Sequence, residues 1–280
     1  MLTTPTLDKL VALGLMGMVI ALKEQQERSE YGALAFDERL GLLVDREVTE
    51  RDNRRLARNL KAAKLRISGA CIEDLDMRSP RGLDRGQILR LAEARWVEAH
   101  QSVLVVGPTG VGKTYLACAL AQAALRRGHT ALYLRATRML DELAVARVDG
   151  RLPRLLASWA RVDVLVIDDL ALRPLASEQA AHLLEVVEDR AQRRATIVTS
   201  QLPIAEWHAS LGDATIADAI LDRLAHGAQR IELRGDSLRR PRTAADGADR
   251  ERPQAENDAP DVERAERPGK RAATKAAAAR

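Results

Sequence analysis

The chain has 280 residues, 44 Lys and Arg against 40 Asp and Glu, and a net charge of +4; that length makes one large domain, or a main domain with a smaller satellite, and can bury a real core. So small a positive excess, with a pI near 9.3, permits an anionic partner without requiring one. Cys71 and Cys118 stand too far apart for a disulfide framework or a zinc cluster, and aromatic residues at 2 % argue against base stacking as the main way of holding nucleic acid.

Two lone thiols fit a reducing compartment. The apolar run Val11 to Leu22 is too short to span a bilayer and has neither a basic leader nor a small-residue cleavage site, so a cytoplasmic protein without a membrane segment is expected.

Residues 1–68 read as an all-helical domain, with helices near Leu7 to Gln26, Phe36 to Glu47 and Thr49 to Ile67. A turn of 100° per residue puts Arg51, Arg54, Arg55, Arg58 and Lys61 on one side of the third helix and Leu56, Leu60, Ala63 and Ile67 on the other. Between Arg51 and Arg66 there are seven basic residues against the single acid Asp52. Such a run is either a solvated face or a surface for a phosphate backbone or protein partner; the second reading predicts salt-dependent, sequence-indifferent binding of duplex DNA.

Residues 69–100 form a linker, marked by Gly69, Ser79, Pro80, Gly82 and Gly86, and a lead-in helix from Leu89 to Glu98. From 101 to 240 apolar strands alternate with amphipathic helices, which predicts an α/β domain with a five-stranded parallel sheet covered on both faces. The expected strands are Val103 to Gly107, Thr130 to Arg135, Val162 to Asp168, Ala195 to Ser200 and Gln229 to Leu233. Ligands in such sheets bind at the carboxyl ends of the strands.

The first strand runs into Gly107-Pro108-Thr109-Gly110-Val111-Gly112-Lys113-Thr114, the phosphate-loop pattern, and then into the alanine- and leucine-rich stretch Tyr115 to Leu125. Glycines let consecutive N–H groups turn inward towards phosphate oxygens, and the following helix points its positive end at the same anion. Lys113 would reach the β- and γ-phosphates of ATP, and the Thr114 hydroxyl would ligate Mg²⁺. The third strand ends in Asp168-Asp169: Asp168 would hold the metal and its water, and Asp169 would polarise the attacking water. Gln201, closing the fourth strand, either senses the γ-phosphate or is a turn residue ahead of Pro203. Residues 241–280 hold twelve alanines, no aromatic and one large aliphatic, Val262, a composition that predicts a disordered tail.

The runs GPTGVGKTYLACALAQAALRRG, VLVIDDLAL, TIVTSQLPIAEWH and GDATIADAILDRLAHGAQRIELRGDSLRR resemble AAA+ ATPases, and among them the helicase-loader branch that holds DnaC and the IstB-type transposition helper ATPases. The IstB type matches over about residues 7–240, including the N-terminal FDERLGLLVDREVTERDNRRLARNLKAAKL. That resemblance implies a P-loop AAA+ core behind a small helical domain, and an ATPase that assembles on DNA as a homo-oligomer and assists an IstA-like transposase. It also implies that Arg223 is an arginine finger acting in trans and that Arg239 is a second sensor, tasks suited to a planar, always-charged fork. General AAA+ enzymes carry Asp-Glu where this chain has Asp168-Asp169. A replicative helicase loader of the DnaC type is the alternative; a small-molecule kinase and a DNA-binding protein with a vestigial nucleotide site stand further off.

Overall fold

The computed structural model describes residues 4–238. Arg239 and the expected tail, 241–280, lie outside the described residues.

The N-terminal module opens with α1 (Thr4–Ala12) and α2 (Met16–Glu27), which the sequence reading had as one helix. The chain breaks between them because Gly14 takes a left-handed φ of 72°. A short 3₁₀ turn, Ser29–Ala33, leads to α3 (Phe36–Ala63). Here the expectation of two helices is corrected: α3 is one 28-residue helix through Val48 and Thr49, and it stops where Lys64 turns left-handed at φ 51°. The stretch from 36 to 63 contains no proline, and its polar middle is solvent-facing rather than helix-breaking.

Helices α2 and α3 cross closely. A Cβ on Gly17 would lie 2.5 Å from the Glu47 Cα, so only glycine fits. The buried Glu47 carboxylate accepts from the N–H groups of Gly17 (2.7 Å) and Met18 (3.3 Å), at the positive end of α2.

After α3 come α4 (Arg85–Ala92) and α5 (Arg95–Glu98), then β1 (Val103–Val106), α6 (Lys113–Arg126), β2 (Ala131–Arg135), α7 (Ala136–Val148), α8 (Leu152–Arg161) and β3 (Val164–Leu170). The chain continues with α9 (Ser177–Arg190), β4 (Ala195–Ser200), α10 (Ile204–Ser210), α11 (Ala214–Ala225) and β5 (Gln229–Glu232). The strands form one parallel sheet in the order β2-β3-β4-β1-β5.

Alternation along the strands separates the two faces. Val103, Val105, Val164, Val166 and Ile197 pack with α6, α4 and α5, and Leu104, Val106, Leu165, Ile167 and Val198 pack with α7, α9 and α11. Ala63, Leu65, Ala70 and Leu75 are buried in the first of these cores, so the segment after α3 is bound to the sheet domain. Trp207 is fully buried and donates its indole N–H to the Leu202 carbonyl at 3.0 Å. No described helix is long and apolar enough to cross a membrane.

Candidate nucleotide site

The phosphate loop leaves the carboxyl end of β1 and enters α6 at Lys113. Gly107 takes φ 146°, and a Cβ there would lie 2.2 Å from the Leu233 carbonyl oxygen, so the first glycine of the motif is required by the close approach of the chain after β5. Lys113 is 5 % exposed and donates to the carbonyls of Gly107 and Pro108, both at 2.8 Å. Beside it the Thr114 hydroxyl lies 3.0 and 3.1 Å from the two carboxylate oxygens of Asp168. Two groups 54 residues apart are thus brought together.

Asp168 is fully buried, and its neighbours on both sides in the sheet hold it. Tyr133 of β2 donates to Oδ2 at 2.6 Å, and Thr199 of β4 donates to Oδ1 at 2.6 Å. Arg66 NH1 stands 3.7 Å from Oδ2. Burial, reinforced by the adjacent carboxylate, pushes the Tyr133 phenol well above the ordinary tyrosine range, so it remains a donor.

The third strand does not end at the acidic pair, which corrects the expected boundary. It continues to Leu170 through a β-bulge between Ile167 and Leu170, with Asp169 left-handed at φ 60°. The bulge re-aims the second acid. Asp169 receives an ion pair from Arg135 at 3.2 Å, and its N–H donates to Thr199 Oγ1 at 2.9 Å.

Gln201 is brought to the loop: Thr109 Oγ1 donates to its Oε1 at 2.5 Å. The buried Arg81, unmarked by any motif, donates from NH1 to the Val111 carbonyl at 3.2 Å and from NH2 to the Asp76 carbonyl. Together these groups line a cleft of about 480 Å³ that includes Arg66, Lys113, Thr114, Arg135, Asp169 and Gln201.

Arg223 is not brought to this cleft. It shares a second cleft with Ser102 and Thr196, at the amino ends of β1 and β4, whereas the phosphate loop follows the carboxyl end of β1. Its guanidinium pairs with Glu188 of α9 at 2.8 Å, not with the nearer-sequence acids Asp218 or Asp222.

Arg51, Arg54, Arg55, Arg58 and Lys61 of α3 are all exposed. Arg51 (2.7 Å) and Arg54 (3.6 Å) both pair with Glu47, and Arg55 pairs with Asp52 at 3.2 Å, so part of the charge run is balanced within the helix.

Sequence reasoning missed Arg66, Arg81, Tyr133, Arg135 and Thr199. The available signal was a polar residue inside, or at the carboxyl end of, an otherwise apolar strand, which fits Tyr133, Arg135 and Thr199.

A parallel sheet in this order, with a glycine-rich loop after a central strand and a buried acid on a strand two places away, defines a P-loop protein of the AAA+ fold. The family described as IstB-like ATP binding protein matches residues 8–245, and the chain belongs to that family. It is 50 % identical over 241 residues to the insertion sequence ATP-binding protein y4pL of Sinorhizobium fredii, which covers 86 % of this chain and 98 % of that one. It is likewise 50 % identical over 203 residues to an insertion sequence ATP-binding protein of Pseudomonas fluorescens, covering 72 % of this chain and 88 % of the relative. Among solved structures, DnaI superposes with a TM-score of 0.51 at 24 % identity, over 59 % of this chain and 91 % of that one, a likeness of fold alone.

Proposed function

We propose that this chain binds and hydrolyses ATP with magnesium, assembles on duplex DNA as a homo-oligomer in its ATP state, and assists an IstA-like transposase. The observation that carries this reading is the approach of Thr114 to the buried Asp168, one residue from Lys113, in a member of a family whose relatives are named as insertion sequence ATP-binding proteins.

The hydroxyl and carboxylate oxygens at Thr114 and Asp168 are the hard donor set that magnesium prefers. Bound there, the ion would neutralise charge on the β- and γ-phosphates. Lys113 moves from the loop carbonyls onto phosphate oxygens. Asp169 polarises the attacking water, held until then by Arg135, and Gln201 contacts the γ-phosphate from the far side of Thr109.

Arg223 completes the site of a neighbouring subunit, exchanging Glu188 for phosphate on assembly, a role in keeping with its distance from its own phosphate loop. Arg239 acts as second sensor. Residues 1–68 serve as the DNA- and partner-facing domain, through Arg51, Arg54, Arg55, Arg58 and Lys61 for duplex DNA. The exposed Phe36, Leu40, Val44 and Val48 at four-residue spacing suit a protein partner. The segment 69–100 joins that domain to the ATPase domain, 101–240. A cytoplasmic setting accords with the free thiols of Cys71 and Cys118.

The test is ATP turnover against protein concentration, with and without duplex DNA. Turnover per chain should climb with concentration and with DNA, and Arg223→Ala should keep ATP affinity while losing the DNA stimulation. Equal turnover at every dilution, indifferent to DNA, overturns the assembly reading. A transposase gene beside this one separates the proposal from a helicase loader.

A further inference from the structure

We propose that Arg66 is the residue with which this site tells a triphosphate from a diphosphate, a guanidinium supplied by the segment after α3 that turns to the γ-phosphate when one is present. The inference rests on the reading of the cleft as an ATP site.

The chain places Arg66 by its neighbours. Helix α3 ends at Ala63, Lys64 turns left-handed, and Leu65 and Ile67 pack into the core on either side of Arg66. Held between two packed residues, the Arg66 side chain is directed across the cleft that it lines with Lys113 and Thr114. It is 44 % exposed, in contrast to the wholly buried carboxylate beside it. Asp168 Oδ2, 3.7 Å from Arg66, is the same oxygen that accepts from Thr114 at 3.1 Å. Arg66 therefore stands one carboxylate oxygen away from the hydroxyl next to which the terminal phosphates lie in a phosphate loop.

Charge decides what Arg66 does there. Asp168 already accepts from Tyr133, Thr199 and Thr114, so it keeps three donors when the guanidinium leaves. Any cation held at Asp168 and Thr114 repels Arg66 from that oxygen, and the γ-phosphate offers it a doubly charged alternative in the same cleft. A diphosphate ends short of that position. Arginine suits this exchange because its fork bonds two phosphate oxygens at once, while its exposure leaves room for the side chain to swing. Of the other guanidiniums lining the cleft, Arg135 is committed to Asp169 at 3.2 Å and the buried Arg81 to the carbonyls of Val111 and Asp76.

The experiment compares binding of ADP and of a non-hydrolysable ATP analogue, each with magnesium, to the full-length wild-type protein, Arg66→Ala, Arg66→Lys and Lys113→Ala. Arg66→Ala should lose roughly tenfold in affinity for the analogue with ADP binding unchanged. Arg66→Lys, which keeps the charge and the fold but not the fork, should lose part of that preference, and Lys113→Ala should lose both nucleotides. A wild-type preference for the triphosphate that survives in Arg66→Ala and Arg66→Lys, or an equal loss of both nucleotides in them, overturns the assignment of Arg66 alone. Wild-type protein that binds neither nucleotide overturns the ATP-site reading and this inference with it.

Discussion

Tyr133 donates its phenolic proton to Asp168 across the β2–β3 boundary, at 2.6 Å. The two residues are not sequence neighbours, and the strand order alone makes them partners. Removing the hydroxyl in Tyr133→Phe leaves a buried carboxylate short of one donor, at a cost of about 1–2 kcal/mol for a partly exposed bond to a charged group. The phenol's pKa is raised on folding by burial and by Asp168. Its contribution to stability is therefore complete below the unfolded value, about 10, and is lost as pH rises through the folded one. Denaturant titrations at rising alkaline pH should show a shallower loss in Tyr133→Phe than in the wild type.

Lys113 and Asp169 differ in what each holds. Lys113→Ala should weaken nucleotide binding by on the order of 100-fold, because the proposed charge-assisted contacts to two phosphates go at once. If Asp169 polarises the attacking water as proposed, Asp169→Ala should bind ATP normally and remain as oligomers on DNA. Titration calorimetry and sedimentation on duplex DNA read the two outcomes separately, and equal loss of ATP binding in both contradicts the division of roles.

Glu47 ties the N-terminal helices through its carboxylate. Burial works against the charged form, but Arg51 and the N–H groups of Gly17 and Met18 outweigh it and hold the carboxyl below the usual glutamate range. A depressed acid stabilises above its unfolded pKa, and that contribution goes as pH falls through the folded value. Acid titration of helicity should show Glu47→Gln less stable than wild type at neutral pH and converging with it in strong acid.

Gly17→Ala places a methyl group 2.5 Å from the Glu47 Cα. Backbone on both sides has no rotamer to yield, so the helix pair must separate at a cost of about 1–3 kcal/mol. A lower melting temperature with unchanged ATP affinity is the expected pattern.

Arg190 is almost wholly buried and donates to the carbonyls of Trp159 (2.6 Å), Val162 (3.0 Å) and Ala195, tying α8, the turn that leads from it into β3, and β4 to the end of α9. Arg190→Lys keeps the charge but cannot span these acceptors, and should destabilise the sheet domain by about 3–5 kcal/mol in chemical denaturation.

All five strands and the glycine loop were legible because fully buried parallel strands read as short apolar runs and the loop's chemistry constrains its spelling. The bulge after Ile167 was not, since two aspartates after an apolar run look like a strand's end whether or not the strand resumes at Leu170. The continuity of α3 escaped for a related reason: a polar stretch reads the same in a loop and on a solvated helix. Arg66 falls at the end of a stretch that reads as helix and Arg81 in a segment whose composition suggests a linker, and only packing against the core brings the two to the cleft.

Helix α3 joins the sheet domain at its last turns, which hold Arg58 and Lys61, and carries the exposed apolar residues Phe36 and Leu40 at its far end. At 28 residues it is a rod of about 42 Å, so a tilt of roughly 10° at Lys64 sweeps the distant tip through about 7 Å. An ångström-scale adjustment beside the phosphate loop would thus be geared up into several ångströms at Phe36, while Arg51 to Lys61, close to the pivot, would move by less than half as much.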